Sequence, residues 1–410
     1  MPYTQTWSAT AQYQLTSKTL VQATYQGLKG VHLIGAFGGS TGGALNIPSV
    51  STIVTAIQNN ENLGYSSPSL NTSGVTQNGS VISETNLQTK NPYQNFFNWP
   101  LTEIYPREGS ASYNGFYASV NQRFGHGLSL LANYTWSKSL DNVPDTGTGA
   151  NSGGFGAAAQ QNPLSQANEW SVSSYDQPSR LKAGYVYQLP LGRGQTFDTH
   201  SSFLNQIIGD ISTAGILTVG SGLPNSVVLG STGYFTSLTP TGTDNCNATG
   251  ANKYCATTAL PSGYTLRPNI VPGVPLINKN WKVNALNSNF TPYLNPAAFV
   301  TPGTQGNPAL GNAPRTLAGA RSPRETTFDA RVSKGFTIKE RYKATLNATF
   351  INAFNHPVYY GANRNLQSTV TVNTTTGLLT PTNSGSFGQL SAGNTSGMSR
   401  VILVGGEFTF

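Results

Sequence analysis

The sequence predicts an all-β fold: an antiparallel transmembrane β-barrel, represented by its C-terminal strands, with long extracellular loops. Three observations predict it. Apolar residues alternate with polar ones at a period of two. The alternating stretches run about ten to twelve residues, longer than the usual 5–6 and close to a tilted membrane crossing. The connections between them switch between tight and very long. Composition agrees. Charged residues are only 9% of the 410, against about 25% in a typical soluble domain. With 45 Gly, 10% aromatics and a mean hydropathy of −0.25, the chain suits a sheet with one lipid-facing and one wet side.

The elements follow in order. Near the start, in a strand over 3–15, Trp7, Ala9, Ala11, Tyr13 and Leu15 oppose Thr6, Ser8, Thr10, Gln12 and Gln14. Strands over 18–28 and 113–124 come next. In 127–138, Leu128, Leu130, Ala132, Tyr134 and Trp136 alternate with Ser129, Asn133, Thr135 and Ser137. In 180–190, Leu181, Ala183, Tyr185, Tyr187 and Leu189 oppose Arg180, Lys182 and Gln188. A strand over 210–221 precedes one over 325–336, where Phe328, Ala330 and Val332 oppose Asp329, Arg331 and Ser333. In 340–352, Tyr342, Ala344, Leu346, Ala348 and Phe350 oppose Lys343, Thr345, Asn347 and Thr349. The last strand, 400–410, puts Ile402, Val404, Phe408 and Phe410 on one face, with Glu407 and Thr409 opposite. Tyr, Trp and Phe gather towards strand ends, where an aromatic girdle sits.

Tight turns are expected at Thr16-Ser17, Gly125-His126 and Thr337-Ile338-Lys339. The medium connection 191–209 carries a short helix at 203–208. Four long connections, 29–112, 139–179, 222–324 and 353–399, read as loops from their Gly, Asn, Ser, Thr and Pro content, with a short helix expected at 50–57. Short turns on the periplasmic side and long loops outside are the barrel pattern, and several such loops would be unusual in a compact soluble domain. With that orientation the first strand runs inward from outside the cell. Nine strands is an odd number, whereas bacterial single-chain barrels are even. An open sheet edge in lipid leaves N–H and C=O groups unpaired. The expectation is therefore a fragment, residues 1–410 being the C-terminal part of a barrel whose earlier strands are missing.

Other chemistries find little support. No apolar run approaches the roughly 18 residues of a transmembrane helix, and the first 30 residues lack a signal-peptide pattern. The net charge of +8 comes from scattered Lys and Arg, which predicts a mildly basic lumen and loops and no nucleic-acid partner. Cys246 and Cys255 form a possible disulfide; the ring it would close is worth roughly 2–3 kcal/mol, and an oxidising compartment suits it. No metal or cofactor site is expected: His32, His126, His200 and His356 show no ligand spacing, and there is no phosphate-binding Gly loop. The string Gly38-Gly39-Ser40-Thr41-Gly42 matches a hydrolase elbow formally but lacks the strand–turn–helix setting. Asp329 and Arg331 read as paired lumen charges. A barrel phospholipase is the best enzymatic alternative, without supporting His–Ser geometry; no catalytic residue is assigned, and no enzyme is expected. The competing non-enzymatic readings are a self-contained small porin or adhesin and a soluble secreted glycan-binding β protein.

Several stretches, in their shared order, carry a resemblance. They are PYTQTWSATAQYQLTSKTLVQATYQGLKGVHL at 2–33, SYNGFYASVNQRFGHGLSLLANYTWSKSLDN at 112–142, YDQPSRLKAGYVYQLPLG at 175–192 and GDISTAGILTVGSGLP at 209–224. LNPAAF at 294–299, FDARVSKGFTIKERYKATLNATFINAFNHPVY at 328–359 and FGQL at 387–390 complete them. The chain resembles the C-terminal barrel of TonB-dependent receptors, specifically the Oar-like type with a carboxypeptidase-regulatory-like N-terminal domain. The resemblance implies a cell-outer-membrane location and a barrel of about 22 strands with a plugged lumen. It also implies uptake of a bulky, unknown ligand held at the extracellular loops and energised by the TonB complex through the plug. The plug and the N-terminal strands are absent from 1–410. Gly405, Phe408 and Phe410 resemble the terminal signal read by the barrel-assembly machinery. Outer-membrane lipid is the remaining expected partner.

Overall fold

The computed structural model describes residues 1–33, 43–44, 49–52, 55, 76–77, 80–81, 102–103, 108–124, 127–143, 160–162, 164–166, 168–229, 265–281, 291–304, 307–338, 342–359, 361–372, 379–383, 385–390 and 399–409. All nine predicted strands are present. They are β1 (Tyr3–Thr16), β2 (Thr19–Leu33), β3 (Gly109–Arg123), β4 (Leu128–Asp141), β5 (Ser179–Gln188), β6 (Ile211–Gly220), β7 (Glu325–Ile338), β8 (Tyr342–Ile351) and β9 (Val401–Thr409). They form one antiparallel sheet in chain order, β1 to β9, and the two-residue strand Ser171–Val172 adds to the end of β4. Among the described residues, β1 and β9 each pair on one side only.

The register turns the alternation into two faces. Tyr13, Val21, Val120, Ala132, Ala183, Leu217 and Phe328 are successive cross-strand partners and make an apolar row across seven strands. One residue along, Gln12, Gln22, Ser119, Asn133, Lys182, Thr218 and Thr327 make a wholly polar row on the opposite face. Because the side-chain period is two, a slip of one residue anywhere would exchange these faces, so the register is strongly specified. The apolar face belongs to lipid and the polar one to the lumen. On the apolar face two glycines lie beneath aromatic rings. A β-carbon at Gly27 would come within 2.1 Å of the Trp7 indole, and one at Gly215 within 2.5 Å of the Tyr185 ring. Only glycine lets a large ring lie flat on the neighbouring strand at that distance.

Boundaries moved at both ends. The strands continue beyond their predicted limits at the long-connection end, where Lys29 pairs with Ser112 and Ala111 with Asp141. Thr337 and Ile338, expected in a turn, remain in β7 because they still pair with Lys343 and Tyr342; residues 339–341 lie outside the described residues, as do Gly125 and His126. The predicted short helix is α1 (Ser202–Ile208), capped by Ser201, whose side chain accepts from the Leu204 N–H. Of the helix expected at 50–57, residues 50–52 and 55 are helical and the remainder is outside the described residues.

Among the described residues, the nine strands contribute nothing to an apolar core. Every member of the buried hydrophobic cluster lies in the long connections: Val227, Leu229, Leu266, Tyr293, Leu294, Ala298, Phe299, Leu317, Ala320, Ala362, Leu366, Phe387 and Leu390. Two of the four long connections, 222–324 and 353–399, supply this whole cluster. Their described parts pack into a lobe at the long-connection end.

Candidate functional site

The lobe is assembled from segments with little regular structure, so its backbone groups need partners one at a time. Short ladders supply some, as where Pro224–Asn225 meets Leu317–Arg321. Others come from cross-segment bonds: Leu229 N–H to the Leu266 carbonyl at 2.9 Å, Leu366 N–H to Val228 at 2.8 Å, and Tyr293 N–H to Gly388 at 2.7 Å. Asn225 bridges three segments, its amide donating to the Ala320 carbonyl at 2.9 Å while its oxygen accepts from the Ala362 N–H at 3.0 Å. Gly311 is required because a β-carbon there would sit 1.9 Å from the Arg267 carbonyl oxygen.

Three arginines of the 222–324 connection clasp three acids that lie on β4 and the connection after it. Arg267 is wholly buried and donates to both carboxylate oxygens of Glu169, at 2.6 and 3.4 Å. Arg315 reaches the side chain and carbonyl of Asp141, the last residue of β4. Arg321 reaches the Asp176 carboxylate at 2.5 Å and its carbonyl at 2.6 Å. Asp176 also accepts from the Ser139 N–H of β4 at 2.6 Å, and Glu169 from the Gln161 N–H at 3.0 Å. Burial pulls the Arg267 guanidinium below its usual value, while Glu169 beside it pushes back. Burial also raises the Tyr293 hydroxyl to about 12; that hydroxyl donates to the Arg321 carbonyl. The additional hydrogen bonds on the Glu169 and Asp176 carboxylates help make such desolvated pairs tolerable.

Chemically, the arrangement fixes a surface. Asp141, Glu169 and Asp176 are each committed to an arginine, and among the described residues no three His, Cys, Asp or Glu come together as a metal site. Cys246, Cys255, His126 and the 38–42 glycine string lie outside the described residues. Asp329 and Arg331 share the lumen face but make no ion pair among the described residues; Asp329 instead accepts from the Asn352 N–H at 2.8 Å. Phe408 lies on the lipid face, paired with Ala344 and stacked on Tyr342 with centroids 6.0 Å apart, while Gly405 pairs with Asn347 on the lumen face. Phe410 is outside the described residues. Sequence reasoning missed the clasp and the lobe core. One signal was available: LNPAAF and FGQL are two of the core's strings, and Phe299 meets Phe387 edge-to-face at 5.8 Å.

The polar and apolar rows, the tight turns at one end and the packed connections at the other describe a membrane barrel wall. The family described as outer membrane beta barrel domain matches residues 1–402. This chain belongs to the outer membrane beta barrel domain family. Its place is accordingly the outer membrane. None of the curated proteins matches it. Among solved structures, the outer membrane transporter YddB from Escherichia coli is similar at a TM-score of 0.38 and 10% identity, over 98% of this chain. The chain spans 32% of that protein's length. For an outer membrane beta barrel domain, the lobe at the long-connection end is the part that faces the cell's surroundings.

Proposed function

We propose that this chain is the wall and outer lobe of an uptake receptor, of the TonB-dependent, Oar-like type, and that it has no enzymatic role. The observation that carries this reading is the packed lobe over one end of a sheet whose β1 and β9, among the described residues, each pair on one side only. Unpaired backbone groups cost several kcal/mol each in hydrocarbon, so further strands complete the ring. A ring of about 22 strands, the size the resemblance implies, has room for a plug. The lobe, braced by buried ion pairs, offers a stable surface for a bulky ligand. On this reading the TonB complex acts through a plug encoded elsewhere in the gene, and the assembly machinery reads Gly405, Phe408 and Phe410.

Sequencing the DNA upstream of the Met1 codon tests it. An open frame running into more alternating strands, a plug and a signal peptide is the expected result, and cross-linking of that plug to TonB in intact cells would follow. An in-frame stop directly upstream would sink the receptor reading in favour of a small porin or adhesin.

A further inference from the structure

The helix α1 is amphipathic in the opposite sense to a helix on a soluble protein. Asn205 and Gln206 share one face with Gly209; Phe203, Leu204, Ile207 and Ile208 share the other. The polar face is the anchored one. Asn205 is buried, donating to Asp198 at 2.5 Å and accepting from the Thr199 N–H and hydroxyl at 3.0 and 2.7 Å. The apolar face is open: Phe203 is 71% exposed, Leu204 48% and Ile207 52%.

The side of the sheet on which α1 sits follows from Lys334. Its cross-strand partners are Ile211 and Leu346, which places it on the apolar, lipid-facing side. An ammonium there is costly unless it is paired or reaches the membrane boundary. Lys334 Nζ donates to the Gln206 carbonyl at 2.8 Å and to the Gly209 carbonyl, capping the C-terminal end of α1, and lies 4.7 Å from the Phe336 ring centroid. The helix end is thus fastened to the outer face of the sheet, on the tight-turn side. From Lys334, β7 runs on to Ile338. Its neighbour Phe336, together with Tyr342 and Phe408, forms the aromatic edge of the lipid face at this level.

We propose that α1 is an interfacial anchor whose Phe203, Leu204 and Ile207 lie in the periplasmic leaflet of the outer membrane, the occupant of this face being phospholipid. The open apolar face belongs to a helix that is fastened through Lys334 to the lipid-facing side of β7, beside Phe336, which is what selects lipid over a soluble partner. A helix lying in the interface plane with its apolar face down and its polar face satisfied is the physical form of such an anchor. Lys334 fixes it to the wall, so the anchor resists vertical displacement of the barrel.

The inference rests on the barrel reading, and the test separates the two. The protein expressed from its complete reading frame, with Cys246→Ser and Cys255→Ser, is spin-labelled at Phe203→Cys, Ile207→Cys, Gln206→Cys or Val404→Cys. It is then reconstituted in phosphatidylethanolamine–phosphatidylglycerol vesicles. Val404, 79% exposed on the apolar face of β9, reports the barrel wall. The expected result is a ratio of oxygen to nickel-chelate accessibility several-fold higher at 203, 207 and 404 than at 206. If 203 and 207 match 206 while 404 stays high, the barrel reading survives and the anchor is overturned. Labels at 203 and 207 shielded from both reagents would overturn it in favour of a protein partner. A low ratio at 404 as well would overturn both.

Discussion

The sheet and the lobe are built on opposite principles. In the sheet, regular backbone pairing supplies the order, both faces are open to their surroundings, and β1 is exposed along its whole length. In the lobe, the backbone is irregular, and the order comes from a buried core with Arg267 and Arg315 sealed inside it. The sheet needs lipid to cover its apolar rows. The lobe carries its own interior. A membrane protein can thus hold a fold stabilised by solvent choice beside one stabilised as a soluble domain is, joined at the ends of the same strands.

The sharpest way to break that comparison is Arg267→Ala. It leaves the Glu169 carboxylate, 2% exposed, without its partner, at a cost of about 3–5 kcal/mol. Limited proteolysis of the refolded protein should show the 222–324 connection cleaved early, while the sheet keeps its heat-modifiable mobility in gels. Equal loss of both would mean that sheet and lobe are one cooperative unit. Next, Val404→Arg attacks only the sheet, costing about 2–4 kcal/mol if the site is near the bilayer midplane. Leu403→Arg, on the lumen face, should leave the urea midpoint of folding into vesicles nearly unchanged. Tyr293→Phe removes the hydroxyl bond to the Arg321 carbonyl and should lower the lobe's melting temperature by an amount corresponding to about 1 kcal/mol, without affecting insertion.

The smallest effect is confined to the turn before α1. The N–H groups of Gly194 and His200 hold the Asp198 carboxyl down at about 2, helped by Asn205. A carboxyl depressed in the folded state stabilises above its unfolded value and loses that contribution as pH falls through its folded value. Amide exchange at Gly194 and His200 should therefore stay slow as pH falls and accelerate only towards about 2. Acceleration near the ordinary carboxyl range would show that the network is absent in solution.

The contrast also explains what was legible. The nine strands were readable because Trp7, Ala9, Ala11 and Tyr13, or Leu128, Leu130 and Ala132, repeat at a spacing dictated by the pleat itself. The helix α1 was readable from its place in a connection of medium length. The lobe was not, because Leu229, Leu266, Leu294, Leu317 and Leu366 come from five separate short segments and share no period. Buried arginines leave no local mark either: Arg267 and Arg315 sit among Pro, Gly and Asn, where a solvated loop is the ordinary expectation. Their partners are distant in the chain, so nothing near them announces the pairing.

That distance has a consequence for how the molecule is put together. The three clasps join residues 98, 145 and 174 positions apart, whereas the tight hairpins join near neighbours. Contacts of long sequence separation form late because the loop-closure entropy must be met before they reward it. The hairpins β1–β2, β3–β4 and β7–β8 can therefore zip early. The lobe must wait until the 142–178, 221–324 and 352–400 connections are all across the membrane and the clasped charges can be withdrawn from water together. Its closure is a final checkpoint on assembly, passed only by a chain that has already crossed in the correct register.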